Sequence, residues 1–327
     1  LLSKRTRYHG QMHHCHRCLH GFASKENLLK HQDDCNKFKA QRTEMPLKSH
    51  TEFSSFRKMV KVPAFVVADF ESFITEEKVH KACGFAFKVC SDLGHELPVE
   101  IYRGSDAAEV FILRMHEVYR ELKDVLDSEF EISVLTPQEQ ARHDRENCWI
   151  CERPFGANEP RVKDHDHFVD PTLQSNYLGP AHKRCNLQRR TGKEGRKLRI
   201  LFHNFRGYDS HLLIKELCRT EDEMSKVAVI PITMDKYTSV TSETFIFLDS
   251  LQLLSMPLDK CVENLSHDAL HSLHEYVESN HQHNLDRKKE LLSRKGVYPY
   301  SYMTGPSKFL EALPPRAEFH NALTDGD

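Results

Sequence analysis

Apolar positions along the chain fall into short runs and one long helical stripe. Residues 62–69 form an apolar run that ends on a carboxylate, which is typical of a buried strand. Residues 106–125 repeat apolar side chains at helical spacing, and Ser105 is a candidate N-cap. Further along, the pattern predicts a helix at 209–217 and strands at 201–204, 226–233 and 237–248. Strands interleaved with helices predict an α/β sheet domain.

The first stretch of the chain, residues 1–36, is rich in cysteine and histidine. Its spacing is that of a zinc finger with cysteine as the fourth ligand, Cys15-x2-Cys18-x12-His31-x3-Cys35. Zinc supplies the folding free energy that so small a unit cannot obtain from its own core. The sequence therefore predicts a finger that folds around zinc.

The expected helix of this finger carries the side chains that would meet DNA. Counted from the helix start, the residues facing the bases would be Ser24, Asn27 and Lys30. One finger reads about three base pairs, which is too few for useful specificity. Contact with DNA of any sequence, or a docking role, is therefore an equal alternative to base reading.

Positive charge is concentrated in two segments, although the chain as a whole has 46 Lys and Arg against 48 Asp and Glu. Residues 37–61 form a basic linker, and residues 189–199 hold six basic residues against one glutamate. Such runs are commonly solvated surface. Because both flank metal-type motifs, we expect them to contact phosphates, with Arg189 and Arg190 as candidates in the second run.

Cysteine usage bears on the compartment. Ten cysteines, among them two C-x-x-C pairs near histidines, indicate zinc in a reducing environment rather than disulfides. The sequence shows no apolar stretch of membrane-spanning length and no signal-peptide pattern. We therefore expect an intracellular protein, nuclear or viral and not secreted. Because the first residue is leucine, we also expect a fragment.

Two carboxylates stand at the end of the first predicted strand. Asp69 and Glu71 are two positions apart, so in a strand they point to the same face. Two acids on one face form half of a divalent-metal site, because Mg²⁺ prefers hard oxygen ligands. A third acid, Asp209, begins the helix that follows the strand at 201–204. Asp209 alone would be a plain N-cap, but the pair of motifs together predicts a metal site.

A second group of metal-ligand residues interrupts the α/β part at residues 147–190. It consists of the pairs Cys148-x2-Cys151 and His182-x2-Cys185. Two such pairs can make a closed tetrahedral site, the structural type of zinc site. The sequence therefore predicts a second zinc ion.

The carboxylate motifs resemble those of a known family. V-A-D-F-E-S at 67–72 looks like the first exonuclease motif of family B DNA polymerases, and H-N-F-R-G-Y-D-S-H-L-L at 203–213 looks like the second. The resemblance continues in F-I-F-L-D-S-L-Q-L-L at 245–254 and R-K-G-V-Y-P-Y-S-Y-M at 294–303. It is closest to the protein-primed polymerases of Polinton/Maverick mobile elements and their viral relatives.

This resemblance implies a fold and a domain arrangement. Residues 62–146 and 191–327 would form one ribonuclease H-like 3′–5′ exonuclease domain, interrupted by a ββα-metal-like zinc module. The family's third exonuclease motif, Tyr-x3-Asp, does not follow the second one before Asp327. The chain would therefore be the N-terminal fragment of a polymerase, and by itself a weak nuclease or none.

The resemblance also implies roles for single residues. Asp69, Glu71 and Asp209 would bind two Mg²⁺ or Mn²⁺ ions, one to activate a water and the other to stabilise the leaving 3′ oxygen. Asn204 and Tyr208 would hold the terminal nucleotide. The partners would be DNA, as a single-stranded 3′ end or a primer-template, and a protein primer, with no membrane.

The zinc insert resembles a second family, the HNH (ββα-metal) nucleases of the phage recombination endonuclease type. D-H-D-H at 164–167 lies between the two ligand pairs. By this resemblance Asp164 and Asn186 would hold one Mg²⁺, and His165 would be the general base. That family generally uses two cysteine pairs, whereas His182 replaces one cysteine here.

Three functions are thus left as alternatives. The favoured one is the editing part of a DNA polymerase, with the zinc insert as a structural module. The second is an HNH-type endonuclease that uses the insert. The third is a catalytically dead, transposon-derived zinc protein that only binds nucleic acid.

Overall fold

The computed structural model describes residues 12–39, 50, 53, 55–75, 77–189, 196–220, 227–233 and 236–319. Arg190, expected to contact DNA, lies outside these residues, as does most of the predicted basic linker. The chain divides into two compact units, Leu1–Ser54 and Ser55–Asp327.

The first unit contains a hairpin followed by a helix. β1 (His13–His14) pairs antiparallel with β2 (Gly21–Phe22), and α1 (Lys25–Cys35) follows. Ser24 is the N-cap of α1, because its hydroxyl accepts a hydrogen bond from the backbone N–H of Asn27 at 3.2 Å. The hydroxyl that was expected to face DNA thus caps the helix.

The second unit is a mixed α/β structure. Its strands are β3 (Phe65–Ile74), β4 (His80–Cys90), β5 (Leu97–Arg103), β6 (Arg161–His165), β7 (Tyr177–His182), β8 (Leu198–Phe202), β9 (Ala228–Thr233), β10 (Lys236–Thr241) and β11 (Phe245–Asp249). Its α-helices are α2 (Ala107–Leu126), α3 (Pro137–Arg145), α4 (Lys183–Arg189), α5 (Asp209–Thr220), α6 (Leu251–Leu254), α7 (Leu258–Glu263), α8 (His271–Asn280) and α9 (Leu285–Leu292). Among the helices of the described part of the chain, none is both long and apolar enough to span a bilayer.

Seven of these strands form one central sheet, in the order β5-β4-β3-β8-β11-β10-β9. The three middle strands β3, β8 and β11 run parallel, and the outer strands pair antiparallel. Because parallel strands end at the same edge of a sheet, the residues that follow β8 and β11 are brought beside the second half of β3. This edge carries the predicted carboxylates.

The hydrophobic core lies between the sheet and the helices α2 and α5. The buried face of α2 includes Phe111, Met115 and Val118, so the predicted helix over 106–125 is confirmed. Phe111 packs edge-on against Phe70 of β3 at a ring distance of 5.0 Å. The predicted N-cap Ser105 is wrong, because the cap position is Asp106 and no side-chain hydrogen bond closes it.

Strand boundaries differ from the predicted ones where pairing decides them. The strand predicted at 62–69 begins at Phe65 and runs on to Ile74, because β4 pairs with it along that whole length. The strand predicted at 201–204 is β8, which ends at Phe202.

The single strand predicted at 237–248 is wrong, because β10 and β11 form a hairpin there. The turn is made by Ser242, whose hydroxyl accepts hydrogen bonds from the backbone N–H groups of Thr244 at 3.2 Å and Phe245 at 3.1 Å.

The inserted segment has its own small fold. β6 and β7 form an antiparallel hairpin, and α4 follows directly, which is a strand–strand–helix order. Helix α3 packs against this hairpin. Its N-terminus is closed by a capping box between Thr136 and Glu139.

Candidate metal centres

The finger unit brings its four predicted ligands together. The ligand atoms of Cys15, Cys18, His31 and Cys35 all lie within 4.8 Å of one another. The Cys18 sulfur lies 3.2 Å from Nε2 of His31, and the Cys15 and Cys35 sulfurs are 4.0 Å apart. Tetrahedral zinc with bonds of about 2.1–2.3 Å places its ligands roughly 3.5–3.8 Å apart, so this group could hold a zinc ion.

Local structure prepares this site for a cation. Cys15 and Cys18 flank the turn between β1 and β2, and His31 and Cys35 lie one helical turn apart on α1. Backbone N–H groups of Cys18 and Arg17 donate to the Cys15 sulfur and lower its pKa to about 6. The thiolate, which is the zinc-binding form, is therefore favoured.

The insert contains the second predicted group. The ligand atoms of Cys148, Cys151, His182 and Cys185 also lie within 4.8 Å of one another. Nδ1 of His182 is 3.3 Å from the Cys151 sulfur and 3.9 Å from the Cys185 sulfur. Burial opposes ionisation of Cys148, but three backbone N–H groups donate to its sulfur and bring its pKa down to about 7. This group too could hold a zinc ion.

His182 suits the position in which the resembled nucleases have cysteine. Its Nε2 lies 3.3 Å from the carbonyl oxygen of Pro154 and 3.4 Å from a carboxylate oxygen of Glu159. An Nε2–H that donates to these acceptors leaves the lone pair on Nδ1, which faces the three sulfurs.

A small recess beside this zinc group is lined by the residues that the second resemblance singled out. Asp164, His165 and Asn186 all border it, together with Arg189. Nε2 of His165 lies 3.2 Å from the carbonyl oxygen of Phe130. The strand–strand–helix order of the insert therefore gathers the three predicted residues.

Arg189, however, already neutralises the carboxylate in this recess. Its guanidinium donates to Asp164 at 2.9 Å, and the indole N–H of Trp149 donates to the same oxygen at 2.9 Å. Arg189 lies over the Trp149 ring at 4.8 Å and is only 8% exposed. To contact a DNA phosphate, as expected from the sequence, Arg189 would have to leave this pair.

Gly179 of β7 touches the same tryptophan, and we expect Gly179→Ala to destabilise the insert. A Cβ at this position would lie 2.8 Å from carbons of the Trp149 ring, which Asp164 and Arg189 hold in place. Overpacking of this kind costs about 1–3 kcal/mol. The measurement is the rate of zinc transfer to a chelator, which should rise in the variant.

Gly156→Ala is the matched control in the same insert, because its Cβ would approach nothing more closely than 3.7 Å. Equal zinc-release rates in the two variants would contradict the expected clash.

The third candidate centre is the carboxylate edge of the sheet. Asp69 and Glu71 lie on the same face of β3, alternating with the buried Phe70 and Ser72. Asp209 begins α5 and is 2% exposed. One of its oxygens, Oδ1, is buried without a hydrogen-bond partner.

The charges of these carboxylates repel one another. Burial, and then the charge of Asp69, raises the pKa of Asp209 to about 7. Burial around its carboxyl group, followed by the charge of Asp69, raises the pKa of Glu71 to about 7, although part of the Glu71 side chain reaches solvent. Burial around its carboxyl group also raises the pKa of Asp69, although part of this side chain reaches solvent. A cation at this edge would relieve both the burial cost and the repulsion.

The carboxylate oxygens at this edge are more widely separated than the ligand atoms of the two cysteine–histidine groups. Among the described residues, those two groups are the ones in which three or more ligand atoms lie within 4.8 Å of one another. A single ion with three protein ligands would require the carboxylates to close in. A pair of ions about 3.5–4 Å apart spans a wider group of ligands.

Sequence reasoning assigned no role to Asp249, which shapes this edge from β11. Asp249 is 3% exposed, and its carboxylate accepts backbone N–H groups of Asn204 at 3.0 Å, Arg206 at 3.3 Å and Leu251 at 2.9 Å. These bonds hold the turn after β8, in which Asn204 has a left-handed φ of 74°. The signal available in the sequence was an aspartate at the end of the apolar run 245–249.

The two residues expected to hold a nucleotide lie around this turn. Asn204 is exposed. The Tyr208 hydroxyl is hydrogen-bonded to the Ser72 hydroxyl and lies 2.9 Å from Nδ1 of His80. Tyr300 belongs to the same edge, since burial and the nearby charge of Glu71 raise its pKa to about 12.

On the finger, Asn27 and Lys30 are exposed on α1. The Lys30 ammonium pairs with Glu26 at 2.9 Å, one turn earlier on the same helix. Such an exposed pair is weak, so Lys30 can exchange it for a phosphate.

Comparison with protein-family models, with curated proteins and with solved structures gives no match for this chain.

Proposed function

We propose that this chain is the editing part of a family B, protein-primed DNA polymerase, with a ribonuclease H-like domain that hydrolyses the 3′-terminal phosphodiester of DNA. The observation that carries the proposal is the carboxylate edge. Burial and the charge of Asp69 raise the pKa values of Glu71 and Asp209, and one Asp209 oxygen has no hydrogen-bond partner. A buried carboxylate beside two more exposed ones, with the charge of Asp69 acting on both neighbours, is an arrangement that a cation would stabilise.

The ligand chemistry fits Mg²⁺ or Mn²⁺. Asp69, Glu71 and Asp209 supply hard carboxylate oxygens, and the openness of the edge suits a pair of ions. When bound, the two ions would activate a water for attack and stabilise the leaving 3′ oxygen. The helix N-terminus at Asp209 adds positive potential beside the phosphate position.

The residues around the edge suit a single-stranded 3′ end as the substrate. Asn204 is held in a fixed, exposed turn by Asp249, so its amide can be offered to a nucleotide without further ordering. The hydroxyl of Tyr208 is fixed by Ser72 and His80, which orients its ring at the same place. Aromatic rings are common stacking platforms for unpaired bases.

The zinc groups would serve this function in different ways. We assign the insert a structural role, because Arg189 supplies the positive charge that a metal would bring to Asp164. The finger would add DNA contact through Asn27 and Lys30. A protein primer as partner, and a nuclear or viral location, belong to the same proposal.

An HNH-type endonuclease is the second candidate, and one observation favours it. Asp164, His165 and Asn186 border one recess in a strand–strand–helix unit. For that chemistry Arg189 would have to release Asp164, and breaking this buried ion pair is energetically unfavourable.

The test is manganese binding together with cleavage of an end-labelled strand by the zinc-loaded chain. We expect Mn²⁺ to bind and the single strand to shorten slowly from its 3′ end, since the last carboxylate of the family is missing. Both should be lost in Asp69→Asn. Asp92→Asn, which changes an exposed acid elsewhere, is the matched control.

Manganese binding that is unchanged in Asp69→Asn would overturn the proposal. Internal nicking that disappears in His165→Ala would instead select the endonuclease. Rapid digestion would contradict the weak activity expected of this chain alone.

A further inference from the structure

His203 is the first residue after β8. In the sheet, β8 lies between the two other parallel strands, β3 and β11. In the β3–β8 pairing, Val67 lies opposite Leu201. Asp69 and His203 are each two residues further on, so they are neighbours on the same face at the point where β8 ends and β3 continues. Burial raises the pKa of Asp69 and a positive charge on His203 would lower it, which agrees with this register.

The other side of His203 faces β11. In the β8–β11 pairing, Asp249 lies opposite Phe202, and Ser250 follows. Nδ1 of His203 is 3.0 Å from the Ser250 hydroxyl oxygen. The imidazole thus contacts the β11 side of the sheet edge, while its strand has β3 as its other neighbour.

The hydrogen bonds of Ser250 decide which nitrogen of His203 carries the proton. The Ser250 hydroxyl donates to the carbonyl oxygen of Phe202 at 3.2 Å. Its single hydrogen is thereby used, so toward His203 it acts as an acceptor and Nδ1–H is the donor. In the neutral ring the lone pair is then on Nε2.

Nε2 is on the side of the ring away from the nitrogen that contacts Ser250, and the strand order places β3, which carries Asp69, on the side of β8 opposite to β11. Nε2 is buried and has no hydrogen-bond partner. A buried lone pair and a neighbouring carboxylate are both acceptors, so a proton, a water or a cation between them would stabilise the pair. Histidine ligands to metals commonly show this arrangement, with the other ring N–H fixed by an oxygen acceptor.

We propose that Nε2 of His203 is a nitrogen ligand, shared with Asp69, for one of the divalent ions at the carboxylate edge. The inference rests on the proposed function. A histidine ligand would give the site a selectivity among metal ions that carboxylates alone do not have, because imidazole favours Mn²⁺ over Mg²⁺. Ser250 is a positioning residue, since it fixes the ring without touching the ion.

Pulsed electron paramagnetic resonance of Mn²⁺ on the zinc-loaded chain tests this directly. A coordinated imidazole imprints a nitrogen modulation on the manganese echo. We expect the modulation in the wild type, its loss in His203→Gln with manganese still bound, and at least a tenfold weaker preference for Mn²⁺ over Mg²⁺ in that variant. His211→Gln, an exposed histidine on α5, is the matched control and should keep the signal.

Labelling the histidines with nitrogen-15 provides a second measurement that needs no variant. The modulation should change to that of the heavier isotope in the wild-type protein. Manganese that binds through Asp69 without any histidine modulation would overturn the role of His203 and leave the proposed function intact. Manganese binding that does not depend on Asp69 or Asp209 would overturn both.

Discussion

Chelation of zinc is expected to unfold the finger unit completely. The described part of this unit has two short strands and one helix, and no residue of α1 is buried. Cys15 is its one fully buried apolar residue among those described. Zinc binding in such fingers contributes on the order of 10–16 kcal/mol at neutral pH, which is essentially all of the folding free energy.

Trypsin cleavage after Lys25 and Lys30 is the measurement, because both lysines lie within α1. In the zinc-loaded chain these bonds should be protected, and a chelator should expose them. Cys18→Ser should have the same effect as the chelator and lower the zinc content from two ions to one per chain. Cys261→Ser, a cysteine outside both groups, is the control and should keep both ions.

Protection that survives chelation would contradict this dependence on zinc. So would a zinc content that is unchanged in Cys18→Ser.

Asp209→Asn is expected to stabilise the zinc-loaded protein at about pH 8 in the absence of Mg²⁺ and Mn²⁺, and this is the second large effect. The carboxylate is buried beside Asp69, and its pKa in the folded protein is about 7 against 3.8 for an ordinary aspartate. Because the folded pKa is the higher one, the folded state binds more protons between these values. Stability is therefore greatest at low pH and falls as the pH rises toward 7.

The folded and unfolded pKa values of Asp209 differ by about three pH units. Above the folded pKa, the free energy of unfolding is therefore lower than in acid by at most roughly 4 kcal/mol. Asparagine has nearly the same shape and no charge. The variant should therefore regain part of the lost free energy of unfolding, on the order of 2–3 kcal/mol. Thermal unfolding between about pH 5.5 and pH 8 is the measurement, since stronger acid would also protonate the zinc ligands.

In that range the wild-type melting temperature should fall with rising pH, and the fall should be smaller in Asp209→Asn. Mn²⁺ should stabilise the wild type and have little effect on the variant. Asp124→Asn, an exposed acid on α2, is the control and should follow the wild type. A variant that is less stable than the wild type at about pH 8 would show that Asp209 is stabilised by contacts rather than strained by charge.

Features set by short spacings in the chain were predicted well. The two cysteine–histidine groups were read from the sequence, because each C-x-x-C pair lies in one tight turn. The long stripe over 106–125 was recognised as a helix, because its period is a property of neighbouring residues. Asp69 and Glu71 were placed on one face for the same reason.

Features set by pairing between distant segments were not predicted from the sequence. The hairpin of β10 and β11 was predicted as one strand, since the turn at Ser242 has no glycine or proline to mark it. Arg189 was expected to contact DNA, because a sequence of basic residues does not reveal that one of them reaches a buried carboxylate 25 positions earlier.

The sequence by itself determined the mixed α/β character of this protein, the ligands of its two cysteine–histidine groups and the acids of its third candidate centre. Only the tertiary structure decided what surrounds those acids. The parallel pairing of β8 with β3 and β11 brings His203 beside Asp69 and makes Asp249 the anchor of the Asn204 turn. The physical reason is that ligand spacings are local, whereas burial, charge repulsion and the direction of an imidazole depend on which strands become neighbours.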